Sequence, residues 1–276
     1  TPTVNLLSPA NTTNTTNFTI TFQYQANDSV SGTANASLYV WNYTGSFVFL
    51  ATNVTVLNGS TSSILATMTN LTSGRFNWSV QACDYANNCA NQSGGYFNLT
   101  IDNSTPTVNL ISPANNSNLS SYASVSFTYQ ANDSVSNLSN ATWYIQSLGG
   151  NLVFVATNTT VLNGSTSTIL GSIANLSNGR YNWSVGVCDA LSNCVNSSYF
   201  NITLDNATPS VRLISPANTT NTTNFTITFQ YQANDSLSST ANATLYVFNF
   251  TGSFVFSASN TTVLNGSTSS ILATMT

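Results

Sequence analysis

Asn17-Phe18-Thr19-Ile20-Thr21-Phe22-Gln23-Tyr24 places an apolar side chain at every even position and a polar one at every odd position. Successive side chains leave a strand on opposite faces, so this period of two predicts an extended strand with one face buried and the other in water. Arg75-Phe76-Asn77-Trp78-Ser79-Val80-Gln81-Ala82 alternates in the same way, and Phe97, Leu99 and Ile101 alternate with Asn98 and Thr100. Outward from these, strands are expected near Val4–Leu7, Leu38–Trp41, Phe47–Val56 and Ile64–Met68. Turns are expected at Ser8-Pro9-Ala10-Asn11, Asn58-Gly59 and Ser73-Gly74. No stretch has a helical period. Seven or so short strands, each with one apolar face, predict an all-β, two-sheet sandwich.

The pattern repeats. Thr1-Pro2-Thr3-Val4-Asn5-Leu6 returns as Thr105-Pro106-Thr107-Val108-Asn109-Leu110 and as Thr208-Pro209-Ser210-Val211-Arg212-Leu213. Gln-Ala-Asn-Asp-Ser follows from Gln25, Gln130 and Gln232, and Val-Leu-Asn-Gly-Ser-Thr from Val56, Val161 and Val263. Three units are read: residues 1–104 (type A), 105–207 (type B) and 208–276 (type A, without its last strands in this segment). Units one and three differ at 11 of 69 aligned positions, without a gap. Unit three lacks counterparts of Asn70 to Ser104, so its apolar positions Phe225, Ile227, Phe229 and Tyr231 are expected to lie open. Completion is expected from continuation of the same chain, the alternative being a strand donated by another subunit.

Composition excludes most chemistry. Asn, Thr and Ser number 41, 42 and 41 of 276 residues, while Lys, Glu and His are absent. General acid–base, Schiff-base and zinc chemistry therefore have almost no residues to use. Three arginines (Arg75, Arg180 and Arg212) make no basic patch for nucleic acid. The longest apolar runs are about five residues, against the roughly 20 that span a bilayer. No catalytic residue, no organic cofactor and no enzyme activity are expected. Trp78 and Trp183 fall on the apolar parity of their strand and are assigned to the core; Trp41 and Trp143 leave sugar stacking open.

The strongest chemical signal is the N-glycosylation sequon, Asn-x-Ser/Thr. Unit one carries it at Asn11, Asn14, Asn17, Asn27, Asn35, Asn42, Asn53, Asn58, Asn70, Asn77, Asn91, Asn98 and Asn103. Unit two has it at Asn115, Asn118, Asn132, Asn137, Asn140, Asn158, Asn163, Asn175, Asn182, Asn196, Asn201 and Asn206. Unit three adds Asn218, Asn221, Asn224, Asn234, Asn242, Asn249, Asn260 and Asn265. These are 33 of the 41 asparagines, where the Ser and Thr content alone would place about 12. Asn77 and Asn98 sit on the polar parity of their strands, so their sugars are expected to face solvent. Asn103 and Asn206, with Pro close behind, and Asn27, with Asp as its middle residue, are the weaker acceptors. A glycan coat would supply the hydration that Lys and Glu usually give a surface and would block exposed strand edges.

Cys83 and Cys89 bracket five residues, and Cys188 and Cys194 do the same. A local disulfide in each unit is expected, since zinc would find only half a ligand set. Disulfides and sequons together place the chain outside the cell or on its surface.

The linker Asp102-Asn103-Ser104-Thr105-Pro106-Thr107-Val108 resembles the boundary between tandem immunoglobulin-like repeats of archaeal and bacterial surface proteins. The stretch Leu176-Ser177-Asn178-Gly179-Arg180-Tyr181-Asn182-Trp183, with Cys188-Asp189-Ala190-Leu191-Ser192-Asn193 after it, resembles their late strand and turn. The asparagine density and cysteine pairs are most similar to archaeal versions. The resemblance implies immunoglobulin-like sandwiches in an elongated rod, acting as a glycosylated surface filament, stalk or coat, or as an adhesin stalk or carbohydrate- or cell-binding module. Partners would be covalent N-glycans and further repeats or copies. In such a sandwich Asp102, Asp133 and Asp189 would converge at one junction, and Asp205 and Asp235 at the next, while Asp28 and Asp84 would await an Asp from a unit preceding this segment. Calcium bridging these oxygen clusters is one reading. In the other, each Asp caps its own turn or pairs with Arg75 or Arg180.

Overall fold

The computed structural model describes residues 1–121, 125–171, 173 and 175–275. Thr276, the end of the third repeat, lies outside the described residues. Unit one contains β1 (Thr3–Ser8), β2 (Thr13–Thr15), β3 (Thr19–Asn27), β4 (Thr33–Asn42), β5 (Phe47–Asn53), β6 (Thr61–Thr67), β7 (Gly74–Asp84), β8 (Cys89–Asn91) and β9 (Phe97–Ile101). Unit two repeats them as β10 (Thr107–Ser112), β11 (Ser117–Leu119), β12 (Val125–Asn132), β13 (Leu138–Ser147), β14 (Leu152–Asn158), β15 (Thr166–Gly171), β16 (Gly179–Asp189), β17 (Cys194–Asn196) and β18 (Phe200–Leu204). Unit three has β19 (Ser210–Ser215), β20 (Thr226–Asn234), β21 (Ala243–Phe248), β22 (Phe254–Asn260) and β23 (Thr268–Thr274).

The expected alternation becomes the architecture. In unit one, sheet β1-β3-β6 faces sheet β2-β9-β7-β4-β5, and β8 pairs with β7. The burial of β3 alternates along its length as the sequence does, with Ile20, Phe22, Tyr24 and Ala26 inward. Two strands escaped the alternation reading, β2 and β8, because three residues carry no period. β2 forms where Pro9, which has no N–H to give a ladder, releases the chain from β1, and it then pairs parallel with β9.

The core of each complete unit is built on the late central strand. Trp78 of β7 is fully buried, with its ring 4.9 Å from Phe22 and 5.6 Å from Phe97, both edge-on. Trp183 repeats this with Phe127 at 5.1 Å and Phe200 at 5.8 Å. Trp143 is buried too, 4.1 Å from Phe127, so it offers no stacking platform to a sugar. Trp41 is half-buried and stacks on Tyr39 at 5.8 Å.

Unit three forms sheet β19-β20-β23 and the pair β21-β22. Its buried cluster is Tyr231, Ala233 and Ile271. Phe225 is exposed, and Ile227 and Phe229 are half-buried. Tyr231 departs from expectation and stays buried, its hydroxyl accepting a hydrogen bond from Asn260 Nδ2 at 3.0 Å. Among the described residues no helix is long and apolar enough to cross a membrane.

Candidate site at the junction of units one and two

The Gln-Ala-Asn-Asp-Ser motif ends β3, β12 and β20, and its Asp folds the next turn around itself. Asp28 Oδ1 accepts from the Val30 and Ser31 N–H groups at 3.0 and 2.8 Å; Asp133 and Asp235 do the same for Val135 and Ser136, and for Leu237 and Ser238. A clasp holds each turn from the far side. The Asp28 N–H donates to Asn58 Oδ1 at 2.8 Å, while Asn58 Nδ2 donates to the Asp28 carbonyl at 3.0 Å. Asn163 clasps Asp133, and Asn265 clasps Asp235, in the same two-bond form. Sequence reading missed this clasp. Its signal was the constant offset of 30 residues between the motif's Asp and the Asn of Val-Leu-Asn-Gly-Ser-Thr.

A second acid closes the end of the long late strand. Asp189 Oδ1 accepts from the Leu191 and Asn193 N–H groups at 2.8 and 2.9 Å, and Oδ2 accepts from Asn193 Nδ2 at 2.7 Å. Asp84 makes the matching bonds to Ala86 and Asn88. Disulfides Cys83–Cys89 and Cys188–Cys194 tether these turns at their bases, as the cysteine spacing predicted.

The third acid comes from the preceding unit. Asp102 follows β9 and is fully buried; Oδ1 accepts from the backbone N–H and hydroxyl of Ser104, and Oδ2 has no hydrogen-bond donor. The Asp102 carbonyl accepts from Asn193 Nδ2 at 3.1 Å, and Arg75 Nη2 donates to the Val135 carbonyl at 3.2 Å, so side chains of both units cross the junction. Asp102, Asp133 and Asp189 each bring a carboxylate oxygen within 4.8 Å of the others', with relative exposures of 0, 5 and 2%. Among the described residues no arginine nitrogen lies within 4.0 Å of a carboxylate oxygen, so the pairing with Arg75 or Arg180 does not form. Arg75 is committed to a carbonyl instead.

The other acids follow the same scheme. At the second junction Asp205 lies against Asp235, and its Oδ2 is buried without a donor. In unit one the Thr1 ammonium sits 3.1 Å from Asp28 Oδ2 and 3.6 Å from Asp84 Oδ2. Hydrogen bonds from Ser31 and Val30 N–H and from that ammonium hold the Asp28 carboxyl well below the ordinary aspartate value of 3.8. Asp84 is lowered chiefly by the Asn88 side chain, and Asp235 by the Leu237 and Ser238 N–H groups. For Asp102 burial acts upward, but the hydroxyls of Ser104, Ser136 and Ser73 and the Ser104 N–H outweigh it, so this carboxyl too is lowered.

All 33 sequon asparagines lie in described residues and none is buried. Asn35, Asn42, Asn53, Asn77, Asn140, Asn158, Asn182 and Asn260 are half-buried and the other 25 are exposed. Asn98 faces solvent as parity predicted. Asn77 and Asn182 are tucked further in, each with a shielded Oδ1 that has no hydrogen-bond donor among the described residues.

The profile of the bacterial Ig-like domain family (group 3) matches residues 60–128 and 166–252, more than half of the chain. The chain belongs to that family. Its modules are tandem, non-enzymatic immunoglobulin-like sandwiches, in keeping with the sheet order above. No curated protein matches it significantly. Among solved structures, the fibronectin(III)-like modules of Clostridium thermocellum CbhA are 14% identical, with 73% of this chain and 92% of that one covered and a TM-score of 0.29. A tetra-tandem repeat from the extending region of a large adhesion protein is 18% identical, covering 99% and 66%, with a TM-score of 0.35. The FN1–FN3 domains of chicken CNTN1 are 7% identical, covering 100% and 90%, with a TM-score of 0.36. At those scores the likeness carries no argument.

Proposed function

We propose that the chain is a structural spacer: a heavily N-glycosylated series of immunoglobulin-like units, divided at 1–104, 105–207 and 208–276, in an extracellular filament, stalk or coat of an archaeal or bacterial cell. The observation that carries this reading is the sequon excess combined with its placement, since none of the 33 acceptor residues is buried and 25 are exposed. A chain with only 4% charged residues needs another source of hydration, and attached sugars supply it. The disulfides agree with an oxidising compartment. Near-identity of units one and three favours a spacer over a dedicated recognition face, which would distinguish one unit from its copy.

Not every sequon serves equally. The glycan attaches at Nδ2, and in Asn58, Asn163 and Asn265 that nitrogen closes the clasp on an Asp turn. These three are assigned to structure rather than to sugar. The test is the mass of native protein before and after enzymatic or chemical deglycosylation. A loss of several kilodaltons is expected; an unchanged mass would overturn the reading.

A further inference from the structure

We propose that Asp102, Asp133 and Asp189 hold a calcium ion that ties the last strand of unit one to two turns of unit two. Three observations converge on it. The three carboxylates are nine-tenths or more buried, with one oxygen of each within 4.8 Å of the others, and no arginine pairs with them. Buried charges of one sign are costly unless a counter-charge meets them. Asp102 Oδ2 is buried with no hydrogen bond found among the described residues, although Oδ1 of the same group accepts two from Ser104.

The donor set decides the metal. All candidate ligands are oxygens, which select a hard cation over zinc or copper. Calcium binds oxygens at about 2.3–2.6 Å, so one ion spans oxygens up to roughly 5 Å apart, and the three carboxylates lie within that span. Magnesium demands about 2.0–2.1 Å in near-ideal octahedral geometry, a poorer match to three acids fixed by three separate turns. Those turns pre-form the site: Asp133 and Asp189 each give Oδ1 to two backbone N–H groups, and the disulfide and the Asn163 clasp stiffen them. The consequence is mechanical. The ion fixes the angle between successive units and stiffens the rod, whether or not sugars are attached.

The full chain, stripped of metal with a chelator, is titrated with calcium chloride by calorimetry and its thermal unfolding is followed in parallel. One saturable equivalent is expected, with the unfolding midpoint rising on saturation and little response to the same concentration of magnesium. Asp102→Asn should weaken calcium binding at least tenfold while keeping the circular dichroism of the wild type. Asp28→Asn, a turn acid outside the cluster, should leave the affinity unchanged. No heat and no midpoint shift at millimolar calcium, with the wild-type chain folded, would overturn the proposal. So would an equal response to magnesium, or an infrared band of a protonated carboxyl at neutral pH that Asp102→Asn abolishes, since a shared proton would then neutralise the cluster.

Discussion

Units one and three share all but 11 of 69 aligned positions, yet they bury those residues differently. Val4 and Leu6 are 2% and 7% exposed, while their counterparts Val211 and Leu213 are 63% and 80% exposed. Phe22 is fully buried and Phe229 half-buried. The cause lies beyond the shared stretch. In unit one Trp78, Phe76, Leu99 and Ile101 of β7 and β9 fill the space between the sheets. In unit three that space is a groove of about 1110 Å³, lined by Val211, Leu213, Phe229, Leu245 and Val247 among others. Local closure survives the change: the Asp–Asn clasp and the Tyr–Asn bond form in both units. A strand's alternation therefore chooses which face is apolar, and a strand distant in sequence decides whether that face is dry.

The largest expected effect breaks this comparison directly. Phe22→Ala should destabilise unit one by about 3–5 kcal/mol, the usual cost of emptying a packed aromatic site. In a chain of these 276 residues Phe229 is half-buried, so Phe229→Ala there should cost less than Phe22→Ala. All four tryptophans lie in units one and two, so urea unfolding followed by their fluorescence should shift for the first variant and stay put for the second. Equal shifts would mean that the units are not separately packed. Next in size, replacing Cys83 and Cys89 together by Ala should lower unit-one stability by about 2 kcal/mol, from the loop entropy a short disulfide removes; calorimetry checks it. Asn58→Ala and Asn265→Ala should each cost about 1–3 kcal/mol, because one buried hydrogen-bonding group loses its partner. Hydrogen exchange at the Asp28 and Asp235 N–H groups should accelerate alike in the two variants. Unequal acceleration would show that the clasp depends on the complete core.

The smallest effect is that of pH. Asp28, Asp84 and Asp235 all have carboxyls lowered from 3.8 by native hydrogen bonds. A depressed native value stabilises the fold above the unfolded value, and the benefit is lost as pH falls toward the native one. Denaturant midpoints should therefore be level from neutral pH down to about pH 5 and fall only below about pH 4. A fall already under way at pH 6 would contradict the assigned directions.

Much of this was legible in residues alone, and the gaps have physical reasons. Alternation in Asn17 to Tyr24 and Arg75 to Ala82 located the two central strands, because one wet and one dry face force a period of two. The cysteine spacing announced its bridges, since six positions on a hairpin return to the same height. Convergence of Asp102 with Asp133 and Asp189 required the topology of the sandwich, as the three are distant in sequence. The clasp of Asn58 on Asp28 stayed hidden because an asparagine in a sequon looks like an acceptor of sugar whatever its amide does. The burial of Tyr231 was missed because its partner Asn260 caps it across two sheets, a contact with no local pattern.

The central claim, that sequons coat this spacer while a few asparagines are reserved for structure, is tested most directly by site-resolved glycopeptide mapping of native protein. Sugars are expected across the exposed sequons, Asn14, Asn70 and Asn175 among them, and none at Asn58, Asn163 or Asn265. Bare asparagines at the exposed sequons, or full occupancy at the three clasp positions in a folded chain, would contradict the account.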